Sequence, residues 1–135
     1  MKISPIDKSK LATTGREFIS LISSDADWFA RNKEDVKSLR GAGVGPFAKI
    51  PERDFNTFVE SLVFKVGGVA TGTYRPLMFS LTLTEIFEVY QYFGMAPLYA
   101  LEIHEAICDN SAWRFEFWSF CSASCPGAQY FEGKK

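Results

Sequence analysis

TLTEIFEVYQYFGMAPLYALEIHEAIC, residues 82–108, is the stretch whose reading decides the fold. Thr82-Leu-Thr-Glu85 has the form of a capping box. The threonine hydroxyl accepts a backbone N–H at the third helical position, and the glutamate reaches back to the threonine amide. Behind it Ile86, Phe87, Val89, Tyr90 and Phe93 recur at helical spacing. Gly94 stops this helix, since glycine takes the left-handed conformation of a C-terminal cap at little cost. Pro97 then opens another at a first-turn position, where its missing N–H is no loss. A connection that short predicts two helices packed antiparallel or at a sharp angle.

In the second helix Ala100, Ile103, His104, Ile107 and Cys108 fall on one stripe, with Glu102, Glu105 and Asp109 on the other side. Those acidic side chains would repel phosphate. The pair therefore reads as ordinary helical packing rather than a DNA-reading helix-turn-helix.

Upstream, residues 8–23 carry Leu11, Phe18, Ile19 and Ile22 as a helical stripe, and Ser23-Ser24-Asp25 is a cap for a second helix bearing Trp28, Phe29, Val36 and Leu39. That helix should end at Gly41. Residues 41–46, Gly-Ala-Gly-Val-Gly-Pro, read as a glycine-rich linker. They are not a phosphate-cradling loop, because no Lys-Ser/Thr follows and no strand precedes. Pro51 starts a third helix with Phe55, Phe58, Val59, Leu62 and Val66 on its buried face, closed by Gly67-Gly68. Residues 69–81 read as an ordered loop with little regular structure. Downstream, Trp113, Phe115 and Phe117 alternate with Arg114, Glu116 and Trp118, a period of two that suggests a short strand or extended segment, while Trp113, Phe117 and Phe120 also admit a helix. Pro126-Gly127 ends it, and residues 128–135 read as a flexible tail. The expected fold is a single, mainly α domain over residues 1–135, with about five helices and a short extended or β-like C-terminal segment.

A chain of 135 residues buries enough surface to fold without crosslinks or metal. Aromatics make up 16%, including thirteen Phe, which predicts a phenylalanine-rich core. The net charge is -1 with no dense Lys/Arg block, so nucleic acid is an unlikely partner. The opening MKISPIDKSK is followed by no apolar signal core, and no apolar run approaches the ~18 residues that span a bilayer. A cytoplasmic location follows. There an odd count of three cysteines argues against a disulfide framework.

The sharpest chemical clue is that the one histidine and all three cysteines lie within residues 104–125: His104, Cys108, Cys121 and Cys125. H-x3-C followed by C-x3-C supplies the four soft ligands of a closed Cys3His zinc site, and zinc is the cofactor such a set would hold. Helical phase puts His104 and Cys108 one turn apart on an inward face, where ordinary core cysteines also belong. Two other readings use the same segment. Cys121 and Cys125 could act as a redox or regulatory thiol pair. Alternatively, Ser119-Phe-Cys-Ser-Ala-Ser-Cys125 could be the modifiable tail of a precursor. Familiar catalytic constellations are missing: there is no G-x-S-x-G and no H-E-x-x-H. Tyr74, Arg75 and Tyr90 could line a small-molecule pocket. The reading that follows is a non-enzymatic cytoplasmic binding or interaction module, steadied by zinc at the four-residue cluster, with a protein or small molecule as partner.

Overall fold

A computed structural model describes residues 6–108 and 113–124. Along them run α1 (Gly15–Ile22), α2 (Lys33–Gly41), α3 (Glu52–Ser61), β1 (Val63–Lys65), β2 (Gly68–Thr73), α4 (Leu83–Gln91), α5 (Pro97–Ile103), β3 (His104–Cys108) and β4 (Trp113–Cys121). Short 3₁₀ turns occupy Lys8–Lys10, Gly45–Lys49 and Arg75–Phe79. The protein is mainly α with a small antiparallel sheet, as its sequence predicts.

The α4–α5 pair forms as expected. Thr82 Oγ1 accepts the Glu85 amide at 3.2 Å, and Glu85 Oε1 accepts the Thr82 amide at 2.9 Å. Gly94, at φ +92°, turns the chain between the helices, and a Cβ there would meet Leu21 Cδ2 of α1 at 2.8 Å. The turn also holds the N-terminal segment: Ala12 N donates to Gly94 O, and Ala96 N to Ala12 O, both at 2.9 Å.

That tie explains why residues 8–23 are not one helix. Ala12 is extended, and α1 starts afresh at Thr14, whose hydroxyl accepts the Glu17 amide at 3.1 Å. Glu17 in turn accepts the amide and hydroxyl of Thr13 at 2.8 and 2.6 Å. The second helix likewise starts late. Asn32, not the Ser23–Asp25 cluster, caps α2 by accepting the Asp35 amide at 2.9 Å.

Residues 23–31 form a loop around one guanidinium. Arg31 donates to Ile22 O at 2.9 Å, Ser24 O at 2.8 Å, Ala26 O at 3.0 and 2.8 Å, and Gly67 O at 3.0 Å. Trp28 and Phe29 are thus buried from a loop rather than from a helix. In the glycine-rich 41–46 stretch Gly41, Ala42, Gly43 and Gly45 are exposed; the chain re-enters the core at Pro46 and Phe47, where Phe47 lies edge-on to Phe55 and Tyr92.

The third helix stops at Ser61, six residues short of Gly67. Val63 is β-branched and Phe64 aromatic, residue types that suit a strand, and Val63–Lys65 becomes β1, paired with β2. β2 replaces the expected loop. Its residues Gly68, Ala70, Thr71 and Gly72 are small and all buried, so the strand carries no hydrophobic alternation to read. Its smallness is required, because a Cβ on Gly72 would lie 2.7 Å from Leu62 Cδ2 and 3.2 Å from the Phe120 ring.

The sheet order is β1-β2-β4-β3. β4 is extended, as its alternating aromatics predict. β3 is a correction: α5 ends at Ile103, and His104–Cys108 leaves the helix to pair antiparallel with β4. The apolar spacing of these residues suits either state. The ladder decides, because it gives the backbone groups of both strands partners.

Above the sheet one core joins helices and strands, and Phe18, Phe29, Phe47, Phe58, Phe93, Phe120 and Tyr99 are fully buried in it.

Candidate functional site

The β3–β4 hairpin sets the positions of the candidate metal ligands. His104 pairs with Phe120, which places it beside the backbone of Cys121. Cys108 pairs with Trp113, at the other end of the hairpin. Four residues of strand separate Cys108 from His104, a span of ~13 Å at 3.3 Å per residue. The inward helical face shared by His104 and Cys108 does not exist: both lie on a strand, and His104 is exposed, its Nδ1 bonded to Leu101 O. Cys121 is buried. Cys125 lies outside the described residues. Among the described residues no three His, Cys, Asp or Glu side chains are grouped to hold a metal ion.

The serines of the C-terminal segment are structural. Ser119, Ser122 and Ser124 are all buried. Ser122 Oγ and Ser124 Oγ both donate to Val69 O, at 2.6 and 3.0 Å, and Ser122 N donates to Ala70 O at 2.7 Å. The hydroxyl of Tyr99 accepts the Ala123 amide at 2.8 Å. These bonds fasten the end of β4 to β2 and α5, and they withdraw the hydroxyls from solvent.

Tyr74 and Tyr90 belong to a chain of rings. Tyr90 meets Phe120 at 5.2 Å and Tyr74 at 6.3 Å, and Tyr74 meets Trp118 at 6.3 Å, all edge-on. Arg75 stands exposed at the start of the following 3₁₀ turn. Trp118 has φ +65°, a left-handed conformation that costs a residue with a Cβ ~1–2 kcal/mol. Two donors fix it there, Tyr74 N at 2.7 Å and Thr73 Oγ1 at 2.8 Å, both to Trp118 O.

What the sequence reading missed is a set of large apolar side chains left in water. Phe79 is 73% exposed, Leu83 64% and Leu98 67%; Met78 and Leu101 are also exposed. They occupy the Arg75–Phe79 turn, the first turn of α4 and one side of α5. A signal for Leu98 and Leu101 was present, since both fall off the Ala100–Ile103 stripe at a spacing of three.

One open groove of about 660 Å³ runs between the Lys8–Lys10 turn, α1 and the 24–28 loop. Leu11, Leu21 and Trp28 line it together with Lys10, Glu17 and Asp25. Glu17 is already engaged by Thr13, which holds its carboxyl below the usual range. Elsewhere, the Lys49 ammonium bonded to Glu85 lowers that carboxyl, with help from the Thr82 amide. Burial and then the Glu88 carboxylate raise the Tyr92 phenol above its usual value. Each of these shifts accompanies a cap, an ion pair or packing rather than a matched acid and base.

No family model, curated protein or solved structure matches the chain. No helix of the described residues is long and apolar enough to cross a membrane.

Proposed function

We propose that this chain is a non-enzymatic, cytoplasmic interaction module. Its binding face is formed by the Arg75–Phe79 turn, the start of α4 and the exposed side of α5. The observation that carries this reading is the exposure of Met78, Phe79, Leu83, Leu98 and Leu101 on a domain whose core is otherwise filled with aromatic rings. Large apolar side chains held in water favour a partner, since covering each contributes ~1.5–3 kcal/mol.

The test uses two surface variants, Phe79→Ser with Leu83→Ser, and Leu98→Ser with Leu101→Ser. Both should melt as the wild type does. Each should lose the proteins that the wild-type chain retains by proximity labelling in its native host. If both variants keep the wild-type set of neighbours, the face is not the binding surface.

Metal analysis and intact mass address the remaining readings of the C-terminal segment. One zinc per chain, lost in Cys121→Ser, would support the Cys3His site of His104, Cys108, Cys121 and Cys125. Its absence from protein purified without chelator would remove it. A thiol role for Cys121 and Cys125 requires Cys121 to react in the native protein, which its burial opposes. A precursor role requires a mass deficit of one or more waters.

A further inference from the structure

The corner where β4 meets the Arg75–Phe79 turn supports a narrower inference, which rests on the interaction reading above. From Phe115 to Phe120 β4 takes five steps, while β3 takes two, from Ala106 to His104. The surplus chain is a bulge, and Trp118 lies in it with its carbonyl clamped by Tyr74 and Thr73. Bulges of this kind re-aim a side chain. Here the side chain is a tryptophan lying edge-on to Tyr74, at an interplanar angle of 89°, with 37% of the residue still in solvent.

Arg75 follows Tyr74 directly. Two other arginines are committed to the fold: Arg31 to its four carbonyls, and Arg40 to Ile50 O and the Phe55 ring. The Arg75 guanidinium has no hydrogen bond or ion pair among the described residues. The carboxylate that opens α4, Glu85, is occupied by Lys49 at 2.5 Å. Arg75 is thus an exposed guanidinium with no charged partner among the described residues, on the turn that also exposes Met78 and Phe79 and directly after Tyr74, which Trp118 meets edge-on. Trp, Tyr, Arg, Met and Phe are the residue types concentrated in the cores of protein interfaces, and Arg75, Met78, Phe79 and Trp118 with Tyr74 supply all five.

We propose that this corner anchors an acidic peptide segment of a partner protein, which sets an apolar side chain against Trp118 and Phe79 and brings an Asp or Glu to Arg75. A carboxylate is the group an arginine fork binds in two-point fashion, and among the described residues none engages Arg75.

The experiment is to pan a displayed library of random dodecapeptides against the full chain. Enriched peptides should carry Asp or Glu within a few residues of Trp, Phe or Leu. Their affinity should fall at least about tenfold in Arg75→Gln, as expected for loss of a charge-assisted anchor. Trp118→Gly should weaken binding similarly while relieving the positive φ, so that folding is retained. Panning against Arg75→Glu should select Lys or Arg in place of the acid. Enriched peptides without an acidic bias, or indifferent to both Arg75→Gln and Trp118→Gly, overturn the inference while leaving the broader interaction reading to the Phe79 and Leu98 variants. Failure to enrich any peptide also overturns it.

Discussion

Arg31→Ala should be the most destabilising single change at a surface position of this protein. The guanidinium makes five hydrogen bonds to four backbone carbonyls, three of the bonds partly buried and two exposed. It also lies 4.4 Å from the centre of the Phe29 ring. Crediting only the partly buried acceptors, Ile22 O and Ala26 O, at ~1.5 kcal/mol each gives ~3 kcal/mol. The contact with Phe29 adds ~0.5 kcal/mol, and the exposed bonds are left out because water replaces them.

For a chain of this length the resulting ~3.5 kcal/mol corresponds to a fall in melting temperature of about 12 °C. Arg31→Lys keeps the charge but has one nitrogen, which cannot span Ala26 O and Gly67 O together. It should cost roughly half as much. Urea denaturation followed by tryptophan fluorescence measures both variants. Hydrogen exchange adds a local test: the Val66–Gly68 turn, tied to α1 through Gly67 O, should lose protection first. Should Arg31→Ala lie within ~0.5 kcal/mol of the wild type, or Arg31→Lys match arginine, the guanidinium is not the clasp described here.

Other substitutions probe the sheet and the charges. Val66 is a β-branched residue at φ +57° in the β1–β2 turn, so Val66→Asn should stabilise by ~0.5–1 kcal/mol, seen as a higher urea midpoint. Gly72→Ala should cost ~1–3 kcal/mol in the same assay, because its methyl would overlap Leu62 and crowd Phe120. The Glu85 carboxyl is held low in the folded state by Lys49 and Thr82. Its stabilisation is therefore complete above the unfolded carboxyl range and is lost as pH falls through the folded value. Glu85→Gln should flatten that acid limb of a stability–pH profile; an unchanged profile would show that the Lys49 pair contributes nothing. In native protein Cys121 should resist a thiol reagent that labels it within minutes in urea, and fast native labelling would contradict its burial.

The amino-acid sequence by itself determined the helices whose ends are encoded locally. The Thr82 box, the stop at Gly94 and the Pro97 start lie within a few residues of what they control, and so does the phenylalanine stripe of α3. Tertiary structure decided the sheet. β2 has Val69 as its one large apolar residue among glycine, alanine and threonine, too few to make a periodic signal, and it is a strand because Val63–Lys65 and Ser119–Cys121 pair with it. His104–Cys108 shows the same override. Its spacing satisfies a helix, yet strand β4 offers it a ladder that a continued α5 could not.

That switch changed the candidate site most. Spacing alone put His104 and Cys108 one helical turn apart, whereas a strand draws four residues out to ~13 Å and sends Cys108 toward the far end of the hairpin. The exposed surface was partly hidden from the sequence for a related reason. Leu98 and Leu101 fall off the Ala100–Ile103 stripe, but Phe79 and Leu83 are no more apolar than the residues that fill the core, and only the packed structure shows that the core has no room to take them.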